Sequence, residues 1–197
     1  MEQKPINKAR GRWKLFAVLA VCASPIVASY ITYYGIKPTA RNNYGTLIDP
    51  RTVPMPSMAT RTLAGDPVTL DSYRGKWILL KAGGSDCGQA CQDQLFMMRQ
   101  LRTMQGKEMD RIERVWLITD EEPLETMLLR VNDGTRMLRA PADIVYKWLP
   151  TEAGGDAQDH IYIIDPIGNL MMRFPKNPDP TKMKKDISKL LKASAIG

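Results

Sequence analysis

Two cysteines, Cys87 and Cys91, stand four residues apart, directly after an apolar segment that ends in small residues. This order is typical of a β-strand, a tight turn and the first turn of a helix. The unpaired N–H groups and the positive dipole end of a helix favour the thiolate, the form of cysteine that attacks disulfides and binds metals. Because four residues make about one helical turn, both sulfurs can lie on one face. They can close a disulfide or hold one metal ion together.

The spacing also bears on whether the pair is a structural bridge or a reactive one. A disulfide stabilises a fold more when it closes a longer loop, so a bridge across one helical turn contributes little in this way. This favours a reactive pair over a structural one. We expect Cys87, at the exposed start of the helix, to be the attacking thiolate and Cys91 to be the resolving thiol.

His160 is the only histidine in the chain, and it follows Asp159 at the start of a predicted strand. A lone histidine is more often structural than a ligand, but strand starts form the rim of a site in α/β sheets. Asp159 is a candidate for orienting the imidazole. Two thiolates and one imidazole form a soft ligand set that suits copper, whereas zinc would normally need a fourth ligand.

The basic charge of the chain is concentrated at its N-terminus. The net charge is +7, and residues 1–14 carry five basic side chains and one acidic side chain, a net charge of +4. No nucleic-acid-binding motif is present in the sequence, so we do not interpret the charge as a nucleic-acid site.

Residues 15–36 contain no charged side chain. A stretch of about 20 apolar residues is long enough to span a bilayer as a helix. Since basic residues precede the span, residues 1–14 are predicted to stay in the cytoplasm and the rest of the chain to lie outside it. Outside the cytoplasm, a disulfide formed by the chain would persist.

Two other interpretations of this segment are less favoured. A cleavable signal peptide would have a shorter apolar region, and Val27-Ala-Ser is a poor cleavage site. A lipid-modified Cys22 would need a small residue where Val21 stands. We therefore interpret Cys22 as a small apolar residue of the membrane helix.

The remaining chain divides into a predicted tether, residues 37–62, and a domain, residues 63–197. The tether is rich in proline and asparagine and has no apolar periodicity. Strands and helices alternate in the domain, and this predicts one mixed α/β sheet with helices on its faces. The predicted elements are strands at 77–82 and 115–119, helices at 93–105, 123–131 and 141–148, a β-hairpin of strands 161–164 and 170–174, and a last helix from Asp179.

The sequence resembles the Sco/SenC family, the membrane-anchored, thioredoxin-like copper chaperones of cytochrome c oxidase assembly. The resemblance covers about residues 63–197 together with the anchor. It rests on the segment 67–77, on Cys87-x-x-x-Cys91, and on Asp159-His160 before Ile-Ile-Asp-Pro-x-Gly.

The resemblance implies a thioredoxin-like fold, a bacterial inner membrane anchor through residues 15–36, and a periplasmic domain. It also implies that Cys87, Cys91 and His160 bind copper, as Cu(I) and in some states Cu(II). The implied partners are a cytochrome c oxidase subunit or another copper-accepting protein, and a thiol–disulfide partner.

The chain also departs from the family. Gly88, Ala90 and Gln92 replace family prolines, and His160 lies closer to Asp165 than the family histidine does. Two alternatives therefore stay open beside copper handling. One is a general periplasmic thiol–disulfide oxidoreductase, and the other is an oxidase-assembly scaffold that keeps the fold without the chemistry.

Overall fold

The computed structural model describes residues 8–36 and 43–196. The chain divides into two compact units, Met1–Asn42 and Asn43–Gly197. In the first unit, helix α1 runs from Lys8 to Tyr30 and continues as a π-helix over Ile31–Ile36.

The helical segment Arg12–Gly35 is the candidate membrane span. It is 24 residues long, and its most apolar 18-residue stretch has a mean hydropathy of 2.0 and is not buried against protein. This length and composition are sufficient to cross a bilayer, as expected for residues 15–36. The helix begins earlier than predicted, within the basic tail. Residues 1–7 of that tail and residues 37–42 of the predicted tether lie outside the described residues.

The second unit contains one eight-stranded sheet in the order β1-β8-β7-β4-β5-β6-β2-β3. Strands β4, β5 and β6 are mutually parallel, and the other neighbouring strands pair antiparallel. The strands are β1 Thr46–Leu47, β2 Thr60–Thr62, β3 Pro67–Val68, β4 Trp77–Gly83, β5 Ile112–Ile118, β6 Arg136–Arg139, β7 Tyr162–Ile164 and β8 Leu170–Arg173. The predicted mixed, thioredoxin-like sheet is confirmed.

Four α-helices belong to this unit, and short 3₁₀ turns connect several elements. The α-helices are α2 Gln89–Thr103, α3 Thr126–Val131, α4 Ala142–Trp148 and α5 Pro180–Ala193. The 3₁₀ turns are Leu70–Tyr73, Gly106–Arg111 and Ala157–Asp159.

The sheet has a hydrophobic core on each face, and β4 contributes side chains to both. Leu79 packs with residues of α2 and α5 on one face, whereas Leu80 packs with α4 on the other. All seven residues of β4 are buried, and full burial of a large apolar side chain contributes about 1.5–3 kcal/mol. The end of β4 is therefore a firm base for the loop that follows it.

The predicted tether boundary needs correction, because β1 and β2 lie within residues 37–62. Both strands join the sheet, β1 beside β8 and β2 between β6 and β3. They are only two and three residues long, too short for an alternating apolar pattern to reveal them. The compact domain thus begins at Asn43 and not at residue 63.

The start of this domain is fastened to its last helix. The N–H groups of Tyr44 and Gly45 donate to Oδ2 of Asp186, at 2.6 and 3.0 Å. Asp186 is 3% exposed on α5, so the two charge-assisted bonds lie away from water. The first described residues of the domain are therefore part of its packed structure.

Candidate redox site

Cys87 and Cys91 form a disulfide at the end of β4, with their Cα atoms 5.2 Å apart. Cys87 lies in the turn that follows β4, and Cys91 lies in the first turn of α2. The strand, the turn and the helix expected from the sequence thus place the two sulfurs together. Helix α2 starts four residues earlier than the apolar periodicity indicated, at Gln89.

The expected exposure of the two cysteines is wrong. Cys87 is only 7% exposed and belongs to the core under α2, whereas Cys91 is partly exposed and lines a cavity. Two short backbone bonds, from Cys87 N to Ser85 O and from Gly88 N to Asp86 O, fold the loop tightly. This turn directs Cys87 inward, so Cys91 is the more accessible member of the pair.

The start of α2 presents positive potential to the disulfide. Its N-cap residue, Gly88, makes no side-chain capping bond, and no acidic residue lies in the first helical turn. The first N–H groups of a helix have no partner within the helix, and the first turn of α2 carries no carboxylate that could neutralise them. A thiolate formed at Cys91 would therefore be stabilised by the helix dipole.

Asp120 holds the loop that carries Cys87. Ser85 N donates to Oδ2 of Asp120 at 2.8 Å, and a Cβ at Gly84 would come within 2.6 Å of the same oxygen. Arg139 in turn donates to the backbone oxygens of Asp120 and Glu122. The ends of β4, β5 and β6 are thereby tied together behind the disulfide.

A cavity of about 330 Å³ opens beside Cys91. Lys81 lies in its wall and is 1% exposed, on the buried strand β4. The Lys81 ammonium donates to Oε1 of Gln94 and to the carbonyl oxygen of Gln158, the latter at 3.2 Å. The lining residues are Lys81, Gly83, Gly84, Asp86, Gly88, Gln89, Ala90, Cys91, Gln94, Asp156, Gln158, Asp159, Lys176 and Asn177.

Burial lowers the pKa of Lys81 from 10.5 to about 8, and the carboxylates of Asp159 and Asp156 oppose this shift. Lys81 is therefore still mostly protonated at neutral pH. A hydrogen bond from Lys176, with Nζ 3.0 Å from Oδ1, lowers the pKa of Asp159. Asp159 thus pairs with a lysine and does not orient His160.

His160 is not brought to the cysteines. Its ring is buried, Nδ1 donates to the carbonyl oxygen of Phe174 at 2.9 Å, and Nε2 has no hydrogen-bond partner among the described residues. Side chains alternate between the two faces of a sheet. His160 has an extended backbone two residues before Tyr162, so the alternation places it on the side of Tyr162, whereas Cys87 and Ile161 both belong to the core on the opposite face.

No group of three or more histidine, cysteine, aspartate or glutamate side chains that could hold a metal ion occurs within residues 8–36 and 43–196. The structure therefore assembles two of the three predicted copper ligands, Cys87 and Cys91. A role for His160 as the third stays a prediction.

The sequence interpretation missed four residues that shape the site, namely Lys81, Gln94, Asp120 and Arg139. Only Lys81 carried a signal, because a charged residue within a strand expected to be buried needs a specific partner. The other three lie on separate elements, and their proximity depends on the order of the strands.

A thioredoxin-like sheet with a disulfide at the start of its first sheet-packed helix, preceded by an apolar helix, defines a membrane-anchored thioredoxin-fold protein. Residues 77–194 match the family model described as the transmembrane-like, thioredoxin-like C-terminal domain, and residues 5–35 match that of the transmembrane-like N-terminal domain. The chain belongs to this family, and the match supports a single-pass membrane anchor. No curated protein sequence matches the chain.

Solved structures with a similar fold include Sco proteins and a putative disulfide isomerase. Yeast Sco1 is 15% identical with a TM-score of 0.57, and the match covers 79% of this chain and 99% of that one. Bradyrhizobium japonicum ScoI with copper bound is 21% identical with a TM-score of 0.50, covering 70% and 97%. A putative protein disulfide isomerase from Bacteroides thetaiotaomicron is 24% identical with a TM-score of 0.52, covering 70% and 88%. At these identities the likeness establishes the shared fold.

Proposed function

We propose that the chain is a membrane-anchored thiol–disulfide exchange protein that acts through Cys87 and Cys91. The observation that carries this proposal is the disulfide across the first turn of α2, with partly exposed Cys91 in the wall of an open cavity. A bridge that short has little value as a staple, whereas its position at a helix N-terminus suits exchange chemistry.

The exchange follows from the different burial of the two cysteines. A thiolate of a dithiol partner attacks the accessible sulfur of Cys91, and the bond between Cys91 and Cys87 breaks. Cys87 leaves as a thiolate and takes up a proton. The second thiol of the partner then attacks the mixed disulfide and releases Cys91. The partner loses two electrons and two protons. The Cys87–Cys91 pair gains both electrons and one proton, which Cys87 takes up, and the second proton is released to solvent while Cys91 stays a thiolate.

The domain is proposed to work in the periplasm, anchored to a bacterial inner membrane with residues 1–14 in the cytoplasm. The basic flank before the apolar helix supports this orientation. A reporter fused after Gly197 tests it. A periplasm-dependent enzyme is expected to be active there, and activity of a cytoplasm-only reporter at the same position would contradict the orientation.

A second candidate function is delivery of Cu(I) as cargo during cytochrome c oxidase assembly. The similar fold of copper-bound Sco structures favours it. After reduction, Cys87 and Cys91 offer two thiolates within one helical turn, and soft sulfur ligands select Cu(I). The proposed client is an oxidase subunit or another copper-accepting protein.

One set of variants separates these functions. We would purify the full-length protein in detergent, with Cys22→Ser to remove the free thiol of the apolar helix, and add Cys87→Ser, Cys91→Ser or both. Equilibration with glutathione measures exchange, and competition with a Cu(I) chelator measures copper binding. Reversible formation of an internal disulfide is expected only when both Cys87 and Cys91 are present, because a single cysteine can form only a mixed disulfide with glutathione.

The copper titration has two informative outcomes. Tighter Cu(I) binding by the protein with both cysteines than by the double-cysteine variant would support copper delivery, whereas equal binding would rule it out. We expect His160→Ala to retain Cu(I) affinity, because the buried imidazole bonds to the carbonyl oxygen of Phe174 and forms no ligand group with the two cysteines among the described residues. A large loss would establish His160 as a ligand after all. A wild type without either activity would leave the scaffold role.

A further inference from the structure

We propose that Lys81 makes the Cys87–Cys91 disulfide easier to reduce by placing a buried positive charge in the cavity beside Cys91. The inference rests on the proposed exchange function and assigns to it a residue that no sequence motif marks. Its substance is electrostatic. Reduction creates negative charge at sulfur, and a nearby ammonium in a poorly hydrated site stabilises that charge more than water-exposed lysines do.

Lys81 and Cys91 lie beside the same cavity. Both line the cavity of about 330 Å³. The ammonium of Lys81 contacts Gln94 on α2, and Gln94 follows Cys91 by three residues, so the two side chains occupy neighbouring positions on one helix face. The glycines and the alanine in the cavity wall leave this space open.

The ammonium also has hydrogen-bonding capacity to spare. A lysine side chain has three N–H donors, and the described residues accept two hydrogen bonds from Lys81, through Gln94 and Gln158. A buried charge with incomplete partners is costly. A thiolate in the cavity would relieve part of that cost, whereas the neutral disulfide does not.

The other charges of the cavity lie nearer to solvent. Lys176 is 60% exposed and pairs with Asp159. Asp156 caps a 3₁₀ turn by accepting from the N–H of Gln158, and Asp86 is exposed in the loop. Lys81 is the one buried charged side chain among the described lining residues, so its field is the least screened.

The redox step balances with glutathione as the reductant. Two glutathione thiols become glutathione disulfide and supply two electrons, and the Cys87–Cys91 bond breaks. One protein sulfur takes up a proton and becomes a thiol, while the other remains a thiolate beside Lys81. The second proton is released to solvent.

The test measures the equilibrium of the full-length, Cys22→Ser protein with mixtures of glutathione and glutathione disulfide. Lys81→Met removes the charge at nearly constant length, and Lys81→Gln also keeps a hydrogen-bond donor if the methionine variant fails to fold. Both variants are expected to shift the equilibrium constant about tenfold toward the disulfide, which corresponds to a reduction potential about 30 mV lower.

Two controls separate charge from structure. Gln94→Leu breaks the contact between Lys81 and α2 but keeps the ammonium, so the potential is expected to stay the same or to rise. Lys176→Met removes an exposed lysine of the same cavity, and the expected change is below about twofold because solvent screens that charge.

The outcomes distinguish the two proposals. A wild-type pair that does not equilibrate with glutathione refutes the exchange function itself. Normal equilibration with both Lys81 variants within twofold of wild type overturns the role of Lys81. An equal fall in potential for Gln94→Leu and Lys81→Met also overturns it, since the effect would then be structural.

Discussion

Substitution of Gly84 by alanine tests the hydrogen bond from Ser85 N to Asp120, which holds the loop that carries Cys87. The new Cβ would lie 2.6 Å from Oδ2 of Asp120, whereas real Cβ contacts are almost never shorter than 3.0 Å and are relaxed only beyond 3.4 Å. The carboxylate must therefore retreat by several tenths of an ångström. That movement stretches the 2.8 Å bond from Ser85 N past the normal length for such bonds.

The cost follows from the burial of this bond. Ser85 is 7% exposed, and a buried N–H that loses its acceptor destabilises the fold by about 1–3 kcal/mol. In urea this corresponds to a fall in the unfolding midpoint of about 1 M. The assay is urea unfolding of the oxidised protein, followed by tryptophan fluorescence.

The chain offers a matched control on the other side of Cys87. A Cβ at Gly88 would meet no atom within 4 Å. Gly88→Ala loses some N-cap preference but restricts the unfolded chain, so its net effect is expected to be under about 1 kcal/mol. Gly84→Ala should add little in an Asp120→Ala background, because the clashing carboxylate is gone. If Gly84→Ala lowers the free energy of unfolding equally in the wild type and in Asp120→Ala, the proposed role of Asp120 in holding the loop is refuted.

Three further changes are predicted to raise or lower the free energy of unfolding in a definite direction. Reduction of Cys87–Cys91 should lower the free energy of unfolding by only about 2 kcal/mol, because closing so short a loop removes little entropy from the unfolded chain. Urea unfolding with and without reductant measures this loss, and a loss above about 4 kcal/mol would show that the bridge is structural. The pKa of Lys81 falls from 10.5 to about 8 on folding, so the unfolded chain binds more protons between these values. The free energy of unfolding should therefore rise with pH across that window, by about 1.4 kcal/mol for each pH unit, and a wild type that parallels Lys81→Met would contradict it. Asp186→Leu removes the acceptor of two backbone N–H groups and should cost about 2–5 kcal/mol in urea unfolding; an unchanged midpoint would show that water replaces the carboxylate.

The central part of the site was predictable, because its signals are local. The apolar run that became β4, the small residues of the turn and the cysteine spacing all lie within one segment of sequence. The β-hairpin was also predictable. Gly168 has a φ of +96°, a conformation that favours glycine, and Asp165 accepts the N–H of Asn169.

The remainder depended on information that one segment does not contain. The depth of Cys87 is set by how the turn packs under α2. The side of the sheet that His160 occupies depends on whether the extended chain begins before Tyr162, since a shift of one residue reverses the face. Strand β6 begins and ends with arginine, so its alternation is masked, yet Arg139 from this strand supports Asp120.

The two outermost strands have a consequence for a protein held in a membrane. Confinement to two dimensions brings copies of a chain together, and a long unpaired strand edge is a template for aggregation. Here the outermost strands, β1 and β3, have only two residues each, and β3 begins with Pro67, which lacks the N–H that pairing requires. These two outermost strands therefore offer a neighbouring copy little edge on which to pair.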